Sequence, residues 1–162
     1  MNNQHERFMR TALEEAKRAR ESGNKAVGAV IVRGDEILAR GRNEVNSSLD
    51  GTAHAEVVAL RNLTTGQRQV NSGMQADAGP FAGAILYTTV EPCPMCCWAT
   101  CITGLSAIVL GARHAELDIS YGQYTVEALI ALSKRRIRLI TGILTEECMA
   151  MFRSGPSPAG PR

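Results

Sequence analysis

Apolar residues in the first part of the chain follow a helical repeat and then two strand-like runs. Between residues 5 and 21 the apolar side chains share one face of a helix. They are Phe8, Met9, Ala12, Leu13, Ala16 and Ala19. The polar stretch Ser22-Gly23-Asn24 ends this helix. Two apolar runs, AVGAVIVR and EILARGR, follow on either side of Gly34-Asp35 and predict a β-hairpin.

The remainder of the chain alternates predicted helices and strands. Thr52 is the expected N-cap of a helix carrying AHAEVVALRNL, and the polar residues 64–80 predict a loop. AGAILYTTV, SAIVLGA and IRLITGIL have the apolar character of buried strands. Glu91-Pro92 is expected to turn the chain into a helix that runs through about Thr103, and further helices are expected over TVEALIALS and over TEECMAMF. This order predicts a three-layer α/β/α fold around a mixed sheet whose second half is parallel.

Length and composition indicate one globular domain. The 162 residues are enough for a full core, and we expect the domain over residues 1–153. A tail rich in proline and glycine, residues 154–162, is expected to be disordered. Lys and Arg number 18 against 16 Asp and Glu, and a net charge of +2 does not by itself indicate a nucleic-acid-binding protein.

The sequence predicts a reduced protein in the cytoplasm. No apolar run approaches the roughly 18 residues of a membrane span, and the first residues lack the apolar core of a signal peptide. Without an export signal, five cysteines are expected to be thiols that bind metal or pack in the core. We therefore expect no membrane partner.

Four of the five cysteines lie within EPCPMCCWATC, residues 91–101. Cys93 and Cys96 share a helical face and can bind one ion. Taken alone, a C-x-x-C pair leaves structural zinc, redox chemistry and other roles open. His54 and Glu56 form H-x-E some forty residues upstream, and H-x-E combined with P-C-x-x-C is a signature of zinc deaminases.

These residue types fit a reactive zinc site. One imidazole and two thiolates supply three ligands and leave the fourth tetrahedral position of Zn²⁺ open to water, whose pKa zinc can lower to about 7. Glu56 lies two residues after His54, about 200° around an ideal helix. It is therefore predicted to carry protons rather than to bind the metal. Cys97 and Cys101, four residues apart, are expected to pack in the core as small apolar residues.

With these motifs the chain resembles the cytidine deaminase superfamily, in the branch of bacterial tRNA adenosine deaminases, guanine deaminases and fungal cytosine deaminases. The resemblance runs from about Phe8 to Phe152, and its landmarks are AVGAVIV, GRNEV, GTAHAEVVAL, ILYTTVEPCPMC and IVLGA. It implies a central five-stranded sheet between helices and, usually, a homodimer. It also implies zinc bound by His54, Cys93 and Cys96, with Glu56 moving protons.

The resemblance further implies contacts with a substrate. Asn43 matches an asparagine that hydrogen-bonds the substrate ring, and the Ala53 amide and Glu91 carbonyl match backbone groups that contact the base. Val27 stands where guanine deaminases typically have phenylalanine. Trp98, shortly after the second zinc cysteine, is compatible with covering a base pocket or with core packing.

The segment after IVLGA favours a small substrate. Adenosine deaminases acting on tRNA tend to carry D-P-K-x-G-A there, whereas this chain reads RHAELDISYG. We therefore predict hydrolytic deamination of a free nucleobase, nucleoside or related amino-heterocycle, with cytosine and guanine favoured and ammonia released. The alternatives are a tRNA adenosine deaminase that makes inosine, with Lys134-Arg135-Arg136 and Arg138 on phosphates, and a non-catalytic zinc-stabilised interaction domain. Within this segment, His114 and Tyr121 are compatible with a cleft wall or with an exposed loop.

Overall fold

A computed structural model describes residues 2–70, 79 and 81–156. In chain order the elements are α1 (Asn2–Glu21), β1 (Gly28–Arg33), β2 (Glu36–Arg42), α2 (Val45–Ser48), α3 (Ala55–Val70), β3 (Ile85–Val90), α4 (Pro94–Thr103), β4 (Ala107–Ala112), a 3₁₀ turn (His114–Leu117), α5 (Val126–Ser133), β5 (Arg138–Ile140) and α6 (Thr145–Arg153). None of the helices that the structure describes is both long enough and apolar enough to cross a membrane.

The five strands form one mixed sheet between two layers of helices. Their order is β2-β1-β3-β4-β5, with β1 antiparallel to both neighbours and the pairs β3–β4 and β4–β5 parallel. Helices α1 and α6 contact each other, and α4 contacts both α3 and α5. The predicted three-layer α/β/α fold with a five-stranded mixed sheet is confirmed.

Strand directions bring four distant segments to one edge of the sheet. Because β3 and β4 are parallel, the segments that follow them leave at the same edge. Because β1 is antiparallel to β3, the start of β1 and the end of β2 lie there as well. The backbone amide of Asn43 accordingly donates to the Val27 carbonyl at 3.0 Å. This edge is where a site made of distant residues is expected.

Two glycines let a helix lie directly on each face of the hairpin. A Cβ on Gly41 would collide with the Ala55 carbonyl and the Ala59 amide of α3, and a Cβ on Gly28 would collide with the backbone of α1. Both neighbours are backbone atoms, so no side-chain rotation relieves the overlap. Gly41 thus fixes how closely the first turn of α3 approaches the sheet.

The two cysteines that were predicted to pack in the core do so. Cys97 and Cys101 are fully buried in a cluster with Ile108, Val126 and Ile130. Their expected role is confirmed.

The prediction that Thr52 caps α3 is wrong. The helix begins at Ala55, and the Thr52 hydroxyl and amide both donate to the Asp50 carboxylate, at 2.7 and 2.8 Å. This side chain–backbone turn ends the preceding loop before the helix starts. His54 directly precedes the helix, and its carbonyl accepts from the Val58 amide.

Two element lengths also differ from prediction. Residues 64–70 continue α3, whereas a loop was expected. Of the rest of that predicted loop, only residue 79 belongs to the described residues. Polar residues on an exposed helical face mimic a loop pattern. Strand β5 is only Arg138–Ile140 because it is the outermost strand of the sheet and because the chain turns at Gly142, where φ is +81°.

Candidate active site

Three side chains converge at this edge of the sheet with the geometry of a metal site. His54 lies just before α3, Cys93 is the N-cap of α4, and Cys96 lies in the first turn of α4. The His54 Nδ1 atom is 3.5 Å from each Sγ, and the three donor atoms all lie within 4.8 Å of one another. A tetrahedral zinc with ordinary bond lengths places nitrogen and sulfur ligands about 3.6 Å apart. The spacing and the donor types therefore fit zinc.

The ionisation of the two cysteine thiols also favours a bound cation. The hydrogen bond from Cys96, followed by that from His54, lowers the pKa of the Cys93 thiol to about 4. The same thiol pair and burial raise the pKa of Cys96, since a second thiolate next to the first is unfavourable. A bound divalent cation balances both charges and allows both sulfurs to act as thiolate ligands.

Glu56 lies in the first turn of α3, beside the ligands but outside the ligand set. Its side chain is 3% exposed, and burial raises the pKa of its carboxyl group. The Thr88 hydroxyl lies 3.3 Å from Glu56 Oε1. A buried carboxyl group whose pKa is raised holds a proton more readily than an exposed one, as a group that carries protons requires.

A cavity of about 560 Å³ opens over the ligands, within the size range of small-molecule sites. His54, Glu56 and Cys93 line it, together with Val27 and Asn43. Asn43 is buried, and its Oδ1 accepts from the Val45 amide at 3.3 Å. The cavity thus joins the expected metal ligands to two of the residues expected to contact a substrate.

Two other expected substrate contacts lie elsewhere. The Ala53 amide donates to the Asp50 carbonyl at 3.0 Å, and Ala55 lines the cavity where Ala53 does not. Ala55 opens α3, and the amides of a first helical turn have no acceptor within the helix. Trp98 is 41% exposed on α4 and is part of neither the cavity wall nor the buried core.

His114 and Tyr121 complete one side of the cavity. Their rings make an edge contact with centroids 5.2 Å apart. His114 is buried, and burial lowers its pKa, so its ring is neutral at pH 7. Both positions belong to RHAELDISYG, for which the sequence left a cleft wall and an exposed loop open; they line the cleft.

Phe152 and Pro156 also line the cavity, and no sequence motif had pointed to them. Phe152 lies in the last turn of α6, and Pro156 reaches the cavity because the segment after α6 runs back towards the residues that precede β1. The Arg20 guanidinium donates to the Ser154 hydroxyl at 2.8 Å, and Gly155 packs closely against Ala26. Part of the predicted tail, residues 154–156, thus makes defined contacts, while 157–162 lie outside the described residues.

The Glu91 side chain has a role that the sequence did not indicate. Its carboxylate accepts from the Arg113 guanidinium at 3.2 Å and from the His114 amide at 2.9 Å. Arg113 also pairs with Glu127 at the start of α5. Glu91 itself lines the cavity two residues before Cys93, so this network ties the metal-binding loop to β4 and α5.

Comparisons with known proteins agree with this site. The profile of the family described as "Cytidine and deoxycytidylate deaminase zinc-binding region" matches residues 2–112. A tRNA-specific adenosine deaminase of Buchnera aphidicola is 31% identical over 141 residues, covering 87% of this chain and 86% of the relative. One from Bacillus subtilis is 32% identical over 153 residues, covering 92% and 86%.

Solved structures share the fold. A structure described in work on A-to-I editing by tRNA:A34 deaminases at the wobble position superposes with a TM-score of 0.71 at 26% identity, covering 90% of this chain and 98% of the other. A variant of the protein NE0047 in complex with 8-azaguanine superposes with a TM-score of 0.74 at 26% identity, covering 92% and 82%. Given the profile match and the zinc-compatible cavity, the chain belongs to the cytidine and deoxycytidylate deaminase family and is a zinc-dependent hydrolytic deaminase.

Proposed function

We propose that this enzyme deaminates adenosine in tRNA, consuming one water, forming inosine and releasing ammonia. The observation that carries the proposal is the alignment of tRNA-specific adenosine deaminases along about nine-tenths of the chain. These comparisons favour tRNA over the free base that the sequence suggested. The non-catalytic alternative does not account for a buried Glu56 beside the ligand set.

The residues of the cavity divide the chemical work. When bound by His54, Cys93 and Cys96, zinc supplies Lewis-acid activation of water at neutral pH. Replacing an amine by oxygen requires protons to move from water to the ring and to the departing nitrogen. Glu56 is the buried carboxyl group placed to carry them. In this proposal Asn43 hydrogen-bonds the base and Val27 contacts its face.

Basic residues support an RNA substrate. Lys25 is exposed and lies at the cavity. Lys134, Arg135, Arg136 and Arg138 are exposed, and no ion pair involves them within the part of the chain that the structure describes. They lie at the start of β5, which pairs with the start of the parallel strand β4. The candidate active site lies beyond the other end of β4, six residues further on, so about 20 Å separates these basic residues from the site. Contacts at that distance from the target base require a large substrate.

We propose a homodimer formed through α4. Met95, Trp98 and Ile102 are three and four residues apart, so they share a helical face, and all three are exposed. An interface there would explain why the large apolar side chain of Trp98 is exposed in the single chain. A buried aromatic anchor surrounded by apolar residues is typical of stable interfaces.

A free purine base is the second candidate substrate. The complex of NE0047 with 8-azaguanine supports it, because that protein shares the fold over 92% of this chain. The cavity has an apolar wall at Val27 and an aromatic one at Tyr121, both compatible with a flat ring.

One assay separates the two candidates. Zinc-loaded protein is incubated with a tRNA whose anticodon begins with adenosine, and separately with adenine, adenosine, cytosine and guanine. Inosine in the tRNA, without ammonia from the small compounds, is the expected result; ammonia from guanine without inosine would establish the second candidate. The Glu56→Gln variant is the control for contaminating deaminases.

A cytoplasmic location remains a prediction, to be tested by cell fractionation.

A further inference from the structure

Tyr124 makes a hydrogen bond to the loop that carries the first metal-binding cysteine. Its hydroxyl donates to the Pro92 carbonyl at 2.7 Å. Tyr124 lies directly before the N-cap of α5, so this bond connects α5 to the residue that precedes Cys93. Neither the zinc ligand set nor the proton-carrying Glu56 involves it.

The backbone around Cys93 explains why this bond matters. The ring of Pro92 fixes its own φ, and Pro94 restricts Cys93 to extended conformations; Cys93 has ψ of 169°. The remaining rotation is ψ of Pro92, which turns the peptide plane between Pro92 and Cys93. The oxygen of that peptide plane is the atom that Tyr124 holds. Fixing it fixes the direction in which Cys93 leaves the loop.

The other end of the loop is already anchored. The Glu91 amide donates to the Ala112 carbonyl at 2.8 Å, and its carboxylate is held by Arg113 and the His114 amide. Pro92 has no amide hydrogen and so cannot add a donor of its own. An anchored Glu91 together with a held Pro92 carbonyl leaves the Cys93 side chain little freedom to leave the metal site.

Tyr124 is itself well placed to act as a rigid donor. Its ring packs against the cluster that contains Cys97 and Cys101 and makes an edge contact with Tyr121, with centroids 6.1 Å apart. Burial raises the pKa of its hydroxyl, so the group stays protonated and remains a donor. The ring is held by packing, and the hydroxyl lies beside both the Pro92 carbonyl and the Cys97 thiol.

We propose that Tyr124 is a positioning residue for the zinc ligand Cys93. It acts through the Pro92 peptide and touches neither zinc nor substrate. Residues that orient metal ligands typically contribute a factor of about 10–100 in metal affinity. The proposal concerns the metal site alone, so it holds whether the substrate is tRNA or a free base.

Replacing Tyr124 by phenylalanine tests the proposal, with Tyr87→Phe as the matched control. Tyr87 is buried, and its hydroxyl lies 2.9 Å from His5 Nδ1 on α1, so the control loses a similar hydrogen bond away from the ligand set. Zinc affinity is measured by competition with a chelating dye. We expect zinc to bind about 10- to 100-fold more weakly to Tyr124→Phe, and within about twofold of the parent affinity to Tyr87→Phe.

Two further measurements distinguish positioning from loss of stability. Thermal unfolding of the zinc-free proteins shows how much each variant loses in the fold itself. The visible spectrum after loading with Co²⁺ reports ligand geometry and is expected to change in Tyr124→Phe only. Parental zinc affinity with an unchanged cobalt spectrum in Tyr124→Phe would overturn the proposal, as would equal losses of zinc affinity in the two variants.

Discussion

Replacing Gly41 by alanine tests whether the sheet positions the catalytic helix. The new Cβ would overlap the Ala55 carbonyl and the Ala59 amide, so α3 has to move away from β2. Overpacking of this kind costs about 1–3 kcal/mol, and the upper end applies where only backbone can yield. Alanine returns about 0.5–1 kcal/mol through the lower entropy of the unfolded chain. A net loss near 2 kcal/mol corresponds to about 4–8 °C in the unfolding midpoint of a domain of this size.

The same displacement should reduce catalysis beyond the loss of stability. His54 precedes α3 and Glu56 lies in its first turn, so both move with the helix. A misplacement of about 1 Å can lower turnover by about 100-fold. The assay is kcat/KM of zinc-loaded protein well below the unfolding midpoint, with zinc content measured on the same sample.

Gly66→Ala is the control on the same helix. A Cβ there meets nothing within 4 Å, so alanine is expected to stabilise α3 by about 0.5–1 kcal/mol without changing turnover. If Gly41→Ala kept both the parental midpoint and the parental kcat/KM, the close approach of α3 to β2 would not be what places His54 and Glu56.

The remaining predictions concern the metal, the proton carrier and the dimer. Glu56→Gln should retain zinc and lose about 10²–10⁴ in turnover; activity within about threefold of the parent would contradict proton transfer by Glu56. Cys96→Ala should lose zinc in elemental analysis, whereas Cys97→Ala, whose thiol is buried against Ile108 and Val126, should retain it; equal zinc contents would contradict the ligand assignment. Ile102→Glu should convert a dimer to a monomer in light scattering, and an unchanged mass would contradict an interface on α4, where Trp98 is also exposed.

The metal site was predictable because its information is local. His54 with Glu56 and Cys93 with Cys96 have fixed short spacings, and the chemistry restricts which residue types fit them. The cavity wall was not fully predictable, because Pro156 enters it only through the path of the segment after α6. No periodicity in the sequence records that path.

Helix ends account for the other differences. The choice of Thr52 as N-cap placed the predicted start of α3 two residues too early, whereas the helix begins at Ala55. Capping preferences identify residue types but not which of several candidates is used. Here Asp50 engages the Thr52 hydroxyl, an interaction that only the folded loop makes evident.

The ligand set also has a consequence for chain topology. His54 and Cys93 are 39 positions apart, so an ion held by both acts as a cross-link that closes the segment between them. For a covalent cross-link, closing a loop of this length removes about 4 kcal/mol of entropy from the unfolded chain, and a metal bridge acts in the same sense. The dependence on length is logarithmic, and doubling the loop changes the term by only about 0.6 kcal/mol. The connection between α3 and β3 is thus a place where insertions carry little thermodynamic penalty, because the ion, rather than the length of the intervening chain, keeps its two ends together.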